Sequence, residues 1–321
     1  MELILKDKSG ADVMILSPES ADFEWGKNRN NFELVFPDSR NQPAFRRWGY
    51  IYANGTEYGG MLTRIKSEDG LVRWSGPTWT GLLAGKVLVP DAGSDRLTVS
   101  GEANALLAKL ISRMGLSDAL AASGERSGIR IDGYGFDLYT DGYAGILSML
   151  ASVGAKLRIR HDGERAVLSA LPAKDWSQDE EFDSDMVDVL AEVDSWPVNH
   201  LVARGEDQKS NRVAVELYID ESGNVSEKPF FIGTREHTEY YNYTSADREK
   251  LIADGSKRLR EYRSKSQAVS VKLSALRDYF DIGDIVGGAD RRTGVLAAAR
   301  VASKVLRVDR YGSATISYET E

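Results

Sequence analysis

From its first residues the chain alternates apolar and polar positions over short stretches: Leu3 and Leu5, Val13 and Ile15, Phe32, Leu34 and Phe36, then Ile51 and Tyr52. A period of two marks half-buried strands, and the breaks at Ser9-Gly10, Pro37-Asp38, Asn54-Gly55 and Asp69-Gly70 supply the turns between them. The pattern predicts an antiparallel β-module over residues 1–92. Near its end, in Trp74-Ser-Gly-Pro-Thr-Trp-Thr-Gly-Leu-Leu-Ala-Gly-Lys-Val-Leu-Val-Pro90, Gly76, Gly81 and Pro90 punctuate a small apolar core around two tryptophans.

Beyond residue 92 the period changes. Ala103, Leu106, Leu107, Leu110, Ile111 and Met114 fall at helical spacing, which predicts a helix from about Glu102 to Met114, capped by Ser100 and stopped by Gly115. A second helix follows Asp141, with Tyr143, Ile146, Leu147, Leu150 and Val153 on one face and Gly154 as its stop. Leu157, Ile159, the Asp162-Gly163 turn, Val167 and Leu168 predict a hairpin on which both apolar faces can rest. Residues 93–173 therefore read as an α/β insert.

An acidic connector over 174–198, carrying Asp179, Glu180, Glu181, Asp183, Asp185 and Asp188, separates the insert from a second β-rich module over 199–321. That module holds a helix at about 245–263. Thr244 and Asp247 open the helix as a capping box, and Leu251, Ile252, Leu259 and Tyr262 turn inward. The expected fold class is α+β and multi-domain: two antiparallel β-barrel-like modules, an α/β insert between them, and a helix preceding the closing barrel.

The chain closes on Tyr279-Phe-Asp-Ile-Gly-Asp-Ile-Val-Gly-Gly-Ala-Asp-Arg-Arg-Thr-Gly294. Ile282, Ile285 and Val286 make a short apolar strand bounded by Gly283 and by the Gly287-Gly288 pair, so the backbone turns sharply at both ends. Asp290 to Gly294 then reverses the chain into a long run ending at Leu306, and Asp309-Arg-Tyr-Gly312 reverses it again into Ala314, Ile316 and Tyr318.

This closing pattern of Asp281, Gly283, Asp284, Gly287, Gly288, Thr293 and Gly294, together with the Gly76, Gly81 and Pro90 segment, resembles the tail-tip or baseplate hub proteins of long-tailed phages, including the hub portion of tail-associated lysins. The resemblance implies a non-enzymatic phage or prophage structural protein without catalytic, cofactor or metal residues. It implies a ring-shaped homotrimer that closes the tail tube, in which two related barrels per chain let threefold symmetry mate with a hexameric distal tail or tail-tube ring. The implied partners are further copies of the chain, that hexamer, the tape-measure protein, receptor-binding or lytic tail proteins, and DNA in transit. The implied location is the virion tail tip, after assembly in the host cytoplasm.

Composition narrows the alternatives. The 321 residues hold no cysteine, which removes disulfides, thiolate catalysis and zinc-thiolate sites. No apolar run approaches the roughly 20 residues of a membrane span, so no membrane anchor is expected, and Met1-Glu-Leu-Ile-Leu-Lys reads as a first strand and not a secretion signal. A net charge of −8 argues against an extended nucleic-acid surface. The basic stretch Lys156, Arg158, Arg160, His161 and Arg165 reads as the wet side of a two-faced sheet, or as a surface turned toward passing DNA.

His161, His200 and His237 lack ligand spacing and read as structural, and Asp183-Ser-Asp185 lacks the glycine and distal glutamate of a calcium loop. Two rival functions stay open. One is a carbohydrate-binding β-protein using Trp25 and Tyr240-Tyr-Asn-Tyr243; the other is a cell-wall glycan hydrolase using carboxylates among Asp132, Asp137 and Asp141, positions that suit turns and a helix cap equally.

Overall fold

The computed structural model describes residues 2–26, 29–37, 44–177, 187–191, 196–205, 214–243, 247–266, 269–275, 280–289 and 296–320. Eight short strands come first: β1 (Leu3–Lys6), β2 (Asp12–Leu16), β3 (Ser20–Gly26), β4 (Asn31–Pro37), β5 (Tyr50–Tyr52), β6 (Gly59–Met61), β7 (Arg64–Glu68) and β8 (Leu71–Pro77). There follow α1 (Trp79–Ala84), β9 (Thr98–Glu102), α2 (Ala103–Arg113), β10 (Leu120–Ala122), β11 (Arg130–Gly135), α3 (Gly142–Ala151), β12 (Ala155–His161) and β13 (Ala166–Pro172). The remainder is β14 (Val187–Ala191), β15 (His200–Gly205), β16 (Ala214–Ile219), β17 (Val225–Ser226), β18 (Thr238–Tyr243), α4 (Arg248–Ser266), β19 (Val269–Ala275), β20 (Ile285–Ala289), β21 (Leu296–Val308) and β22 (Ala314–Thr320). The class is mixed α+β with mainly antiparallel sheets. Among the described residues no helix is long and apolar enough to cross a membrane.

The chain divides into two compact units, residues 1–189 with 271–321, and residues 190–270. In the first, an eight-strand path runs β14-β19-β22-β21-β3-β4-β8-β7, with β20 paired to β21 off the path. Within it β21 and β3, from opposite ends of the chain, run antiparallel, Lys304 opposite Trp25 and Leu306 opposite Phe23, and β14 joins from the middle of the chain, inside the expected connector. The sequence reading grouped the closing strands with the segment before them. Backbone pairing groups them with the opening strands, because β21 is 13 residues long and serves β20 with its first part, then β22 and β3 with its second. Among the described residues no sheet closes into a barrel, and strands from both expected β-modules share one sheet.

The α/β insert follows its apolar periodicity closely. Helices α2 and α3 rest Leu107, Leu110, Ile146 and Leu150 on the Leu157, Ile159 and Leu168 side of the β12–β13 hairpin, in one core with Tyr52 and Trp79. Gly115 and Gly154 end the two helices at φ of +68°, a conformation that residues with a Cβ avoid. Asp141 caps α3, accepting from Ala144 N at 2.9 Å. The cap of α2 is Glu102 and not Ser100: β9 carries the chain on through Ser100, whose hydroxyl accepts from Gly133 N, while the Glu102 carboxylate accepts from Ala105 N at 3.0 Å.

Three apolar positions read as buried are exposed. Val13 and Ile15 lie on β2, the end strand of the sheet β2-β1-β5-β6, and Val153 lies past the last turn of α3.

The second unit is a four-stranded sheet, β17-β16-β15-β18, with β15 and β18 parallel. Helix α4 covers its Leu201, Ala203, Val215, Leu217 and Ile219 face through Leu251 and Leu259, with Ile252 partly buried beside them. Gly255 permits the approach, since a Cβ there would stand 2.6 Å from Leu217. Asp247 supplies the helix cap, accepting from Lys250 N at 2.9 Å, and Thr244 lies outside the described residues. Most of the acidic connector, including Asp183 and Asp185, also lies outside them.

Candidate functional site

The closing motif is a junction of three segments distant in sequence. Asp284, fully buried, accepts from Lys156 Nζ through both oxygens at 2.8 Å, and also from Lys174 N at 2.8 Å and Asp281 N at 3.0 Å. Asp281 takes the same ammonium at 2.7 Å. The tight turn that brings both carboxylates to Lys156 requires Gly283, which has φ of +99° and whose added Cβ would sit 3.0 Å from Lys156 Cβ. Gly287 performs the parallel task for residues 174–177. A Cβ there would meet Ser177 Cα at 2.7 Å, and without it Ile285 N reaches Lys174 O and Ile285 O receives Trp176 N. Gly287 and Gly288 do not bound the strand at a turn as the sequence suggests: both lie inside β20, opposite Ala298 and Ala297, and Ile282 sits in the turn before it, whereas Thr293 and Gly294 lie outside the described residues.

A buried ion pair gains little net stability over an apolar replacement, because removing both charges from water offsets much of their attraction. The cluster connects the hairpin strand β12, the 174–177 segment and the closing turn. A second buried pair does the same between the two ends of the chain: Lys304 on β21 meets the Glu57 carboxylate, its ammonium 5.5 Å from the Trp25 ring centre.

The Trp74–Pro90 stretch is built on close backbone approach. Trp74 and Trp79 are buried, and Cβ atoms at Gly76 and Gly81 would stand 1.8 Å from Met61 O and 2.1 Å from Asn30 O. Thr78 caps α1, and half-buried Pro90 begins the connection to β9.

The basic hairpin is not uniformly wet. Arg160 and Arg165 are exposed and Arg158 half-buried, but Lys156 is locked in the carboxylate cluster, and His161 is buried against Tyr52 and Trp79 at ring distances of 3.9 and 5.4 Å. Burial, with help from nearby Lys6, pushes the His161 pKa down to about 4, against the weaker opposite pull of Asp162 and Asp12. An unfolded histidine titrates near 6.5. As pH falls from about 6.5 to about 4, only the unfolded chain takes up this proton, so stability declines by on the order of 2–3 kcal/mol and then levels off. Urea unfolding across that range should show the decline, and His161→Gln should remove this component of it. An unchanged slope in the variant would count against the assignment.

The other histidines lie in the second unit. His200 Nδ1 is 2.6 Å from Glu236 with its ring stacked on Tyr218, and His237 stacks on Trp196. Among the described residues no three potential metal-ligating side chains converge.

The residues of the rival readings are divided between structural roles and exposed positions. Trp25, the proposed sugar platform, is buried beneath Lys304; Tyr241 packs under Arg258, and Tyr240 is the exposed member of that pair. Asp132 is exposed and paired with Arg130 at 2.9 Å, Asp141 is committed to the α3 cap, and Asp137 is exposed in the turn before that cap. Asp137 and Asp141 thus take the turn and cap roles, and Asp132 lies within β11.

No protein-family model and no curated protein sequence matches the chain. Solved structures do. A tail protein from Neisseria meningitidis is 13% identical, with a TM-score of 0.51 over 100% of this chain and 96% of that one. The 43 kDa tail protein of prophage MuSo2 from Shewanella oneidensis is 11% identical, with a TM-score of 0.59 over 100% and 98%. Prophage tail protein gp18 from Listeria monocytogenes is 11% identical, with a TM-score of 0.52 over 99% and 94%. At such identities the likeness is one of fold, and it runs nearly the full length of each chain.

Proposed function

From a fold shared end to end with phage and prophage tail proteins, we propose that the chain is a non-enzymatic tail hub: a ring of three copies that closes the tail tube at the tail tip and matches threefold to sixfold symmetry. The observation that carries this reading is the fold likeness to phage and prophage tail proteins over 99–100% of this chain. A closed ring of identical copies satisfies every repeated interface. The β21–β3 join inside the chain is the pattern for the joins between chains, since the path ends in β14 on one side and β7 on the other.

An end strand offers a row of unpaired backbone N–H and C=O groups to a neighbour. All five β7 residues are exposed, Ile65 by half. The hexameric distal tail or tail-tube ring, the tape-measure protein, and receptor-binding or lytic tail proteins are the partners of this reading, with DNA passing in transit and the protein residing in the virion after assembly in the host cytoplasm.

Ile65→Lys tests it, because a charge at an exposed edge position leaves the chain's own fold intact. Negative-stain micrographs should show threefold rings for the wild type and single chains for the variant, with equal thermal unfolding when both are dilute. Rings unaffected by the substitution would remove β7 from the interface; single wild-type chains at every concentration would remove the ring.

A further inference from the structure

Between α3, the Ile282-Gly283 turn and residues 300–302 of β21, the first unit holds a cleft of about 280 Å³. It stays open because Ala144, Ala151, Ala155, Ala302 and Gly283 are small, and Leu147 adds apolar surface. That volume is below the roughly 300–1,000 Å³ of drug-sized sites and suits one or two residues of a peptide.

Arg300 stands at one end, half-buried, with Nη1 donating to Gly283 O at 3.1 Å. No carboxylate among the described residues pairs with it. The acids of the adjoining turn, Asp281 and Asp284, are committed to Lys156 at 2.7 and 2.8 Å. Asp141, which also lines the cleft, caps the N-terminal end of α3, whereas Gly283 packs on Lys156 beyond the C-terminal end. A planar guanidinium presents a fork of donors that matches two carboxylate oxygens, and withdrawing it from water unpaired is unfavourable. An uncharged apolar occupant would cover more of that half-buried cation without supplying an anion. A carboxylate satisfies it.

We propose that this cleft binds a carboxylate carried on an apolar peptide segment, the apolar side chain against the alanines and Leu147, the carboxylate on Arg300. The assignment concerns the first unit alone and does not depend on ring formation. The carboxylate comes either from the end of a polypeptide or from an acidic side chain, and three probes separate the sources: N-acetyl-Leu-Leu as the free acid, the same peptide as its amide, and N-acetyl-Leu-Glu amide.

Titration calorimetry on the full chain should show at least one acid binding about tenfold tighter than the Leu-Leu amide, the gain of a charge-assisted hydrogen-bonded pair. The tighter acid identifies the source. Arg300→Gln should erase the difference, and Ala144→Met, which fills the cleft from the helix side, should weaken all three, with circular dichroism confirming that each variant is folded. Equal binding of acids and amide, no binding of any probe up to about 10 mM, or discrimination that survives Arg300→Gln overturns the proposal.

Discussion

Lys156→Met should destabilise the protein by about 3–5 kcal/mol, the usual loss when one partner of a buried ion pair is removed and the other is left charged. Asp284 is buried and receives two backbone N–H groups besides the ammonium, so its carboxylate cannot turn to solvent without breaking both. Asp281, held at 2.7 Å from the same ammonium, would then face Asp284 with nothing between them. The double variant Lys156→Met with Asp284→Asn should recover part of the loss, because it removes the orphaned charge while one amide oxygen still accepts a backbone hydrogen. Urea unfolding of the three proteins measures this directly. A loss below about 1 kcal/mol in the single variant would mean the cluster is solvated like a surface pair.

The second large effect is at Gly76. Alanine would place its Cβ 1.8 Å from the Met61 carbonyl oxygen, a backbone atom held in β6, so neither a rotamer change nor a flexible side chain can relieve the overlap. Ordinary overpacking costs roughly 1–3 kcal/mol, and here two backbone segments must separate, so the loss should exceed that range. Gly81→Ala supplies the control on reasoning from propensity alone. In a solvent-exposed helix that substitution stabilises by about 1 kcal/mol, whereas in α1 the new Cβ would meet Asn30 O at 2.1 Å. Thermal unfolding should therefore place both variants well below the wild type, and an unchanged or raised midpoint for either would show that the two backbones are not held as close as described.

Helices α2, α3 and α4 were legible because each signal is local, whereas α1 lies in the Trp74–Pro90 segment that reads as part of the opening β-module. The apolar faces of α2 and α3, the Asp141 cap and the stops at Gly115 and Gly154 all sit within a few turns of one another. Strand partners were not legible. Alternation tells which face of a strand is buried, but nothing in the Phe23 or Leu306 neighbourhood says that these two residues, at opposite ends of the chain, lie side by side. The same limit hid the cluster at the closing motif: Lys156 occupies an outward position of an alternating strand, and its partner Asp284 is 128 residues away. Asp281 and Asp284 around a glycine signalled a tight turn without naming the cation that it serves. Trp25 looked available for sugar stacking because an aromatic residue carries no sign of its own burial, and the lysine that covers it lies on β21. The resemblance carried by the two glycine-rich segments pointed to the tail-protein fold that the solved structures share.

Hub function stands or falls on the assembly of copies. Sedimentation equilibrium of the purified chain over a wide concentration range is the direct measurement. A mass converging on three times the 35.4 kDa chain is the predicted result, and a mass that stays at a single chain, or climbs without limit as in an open filament, would contradict it.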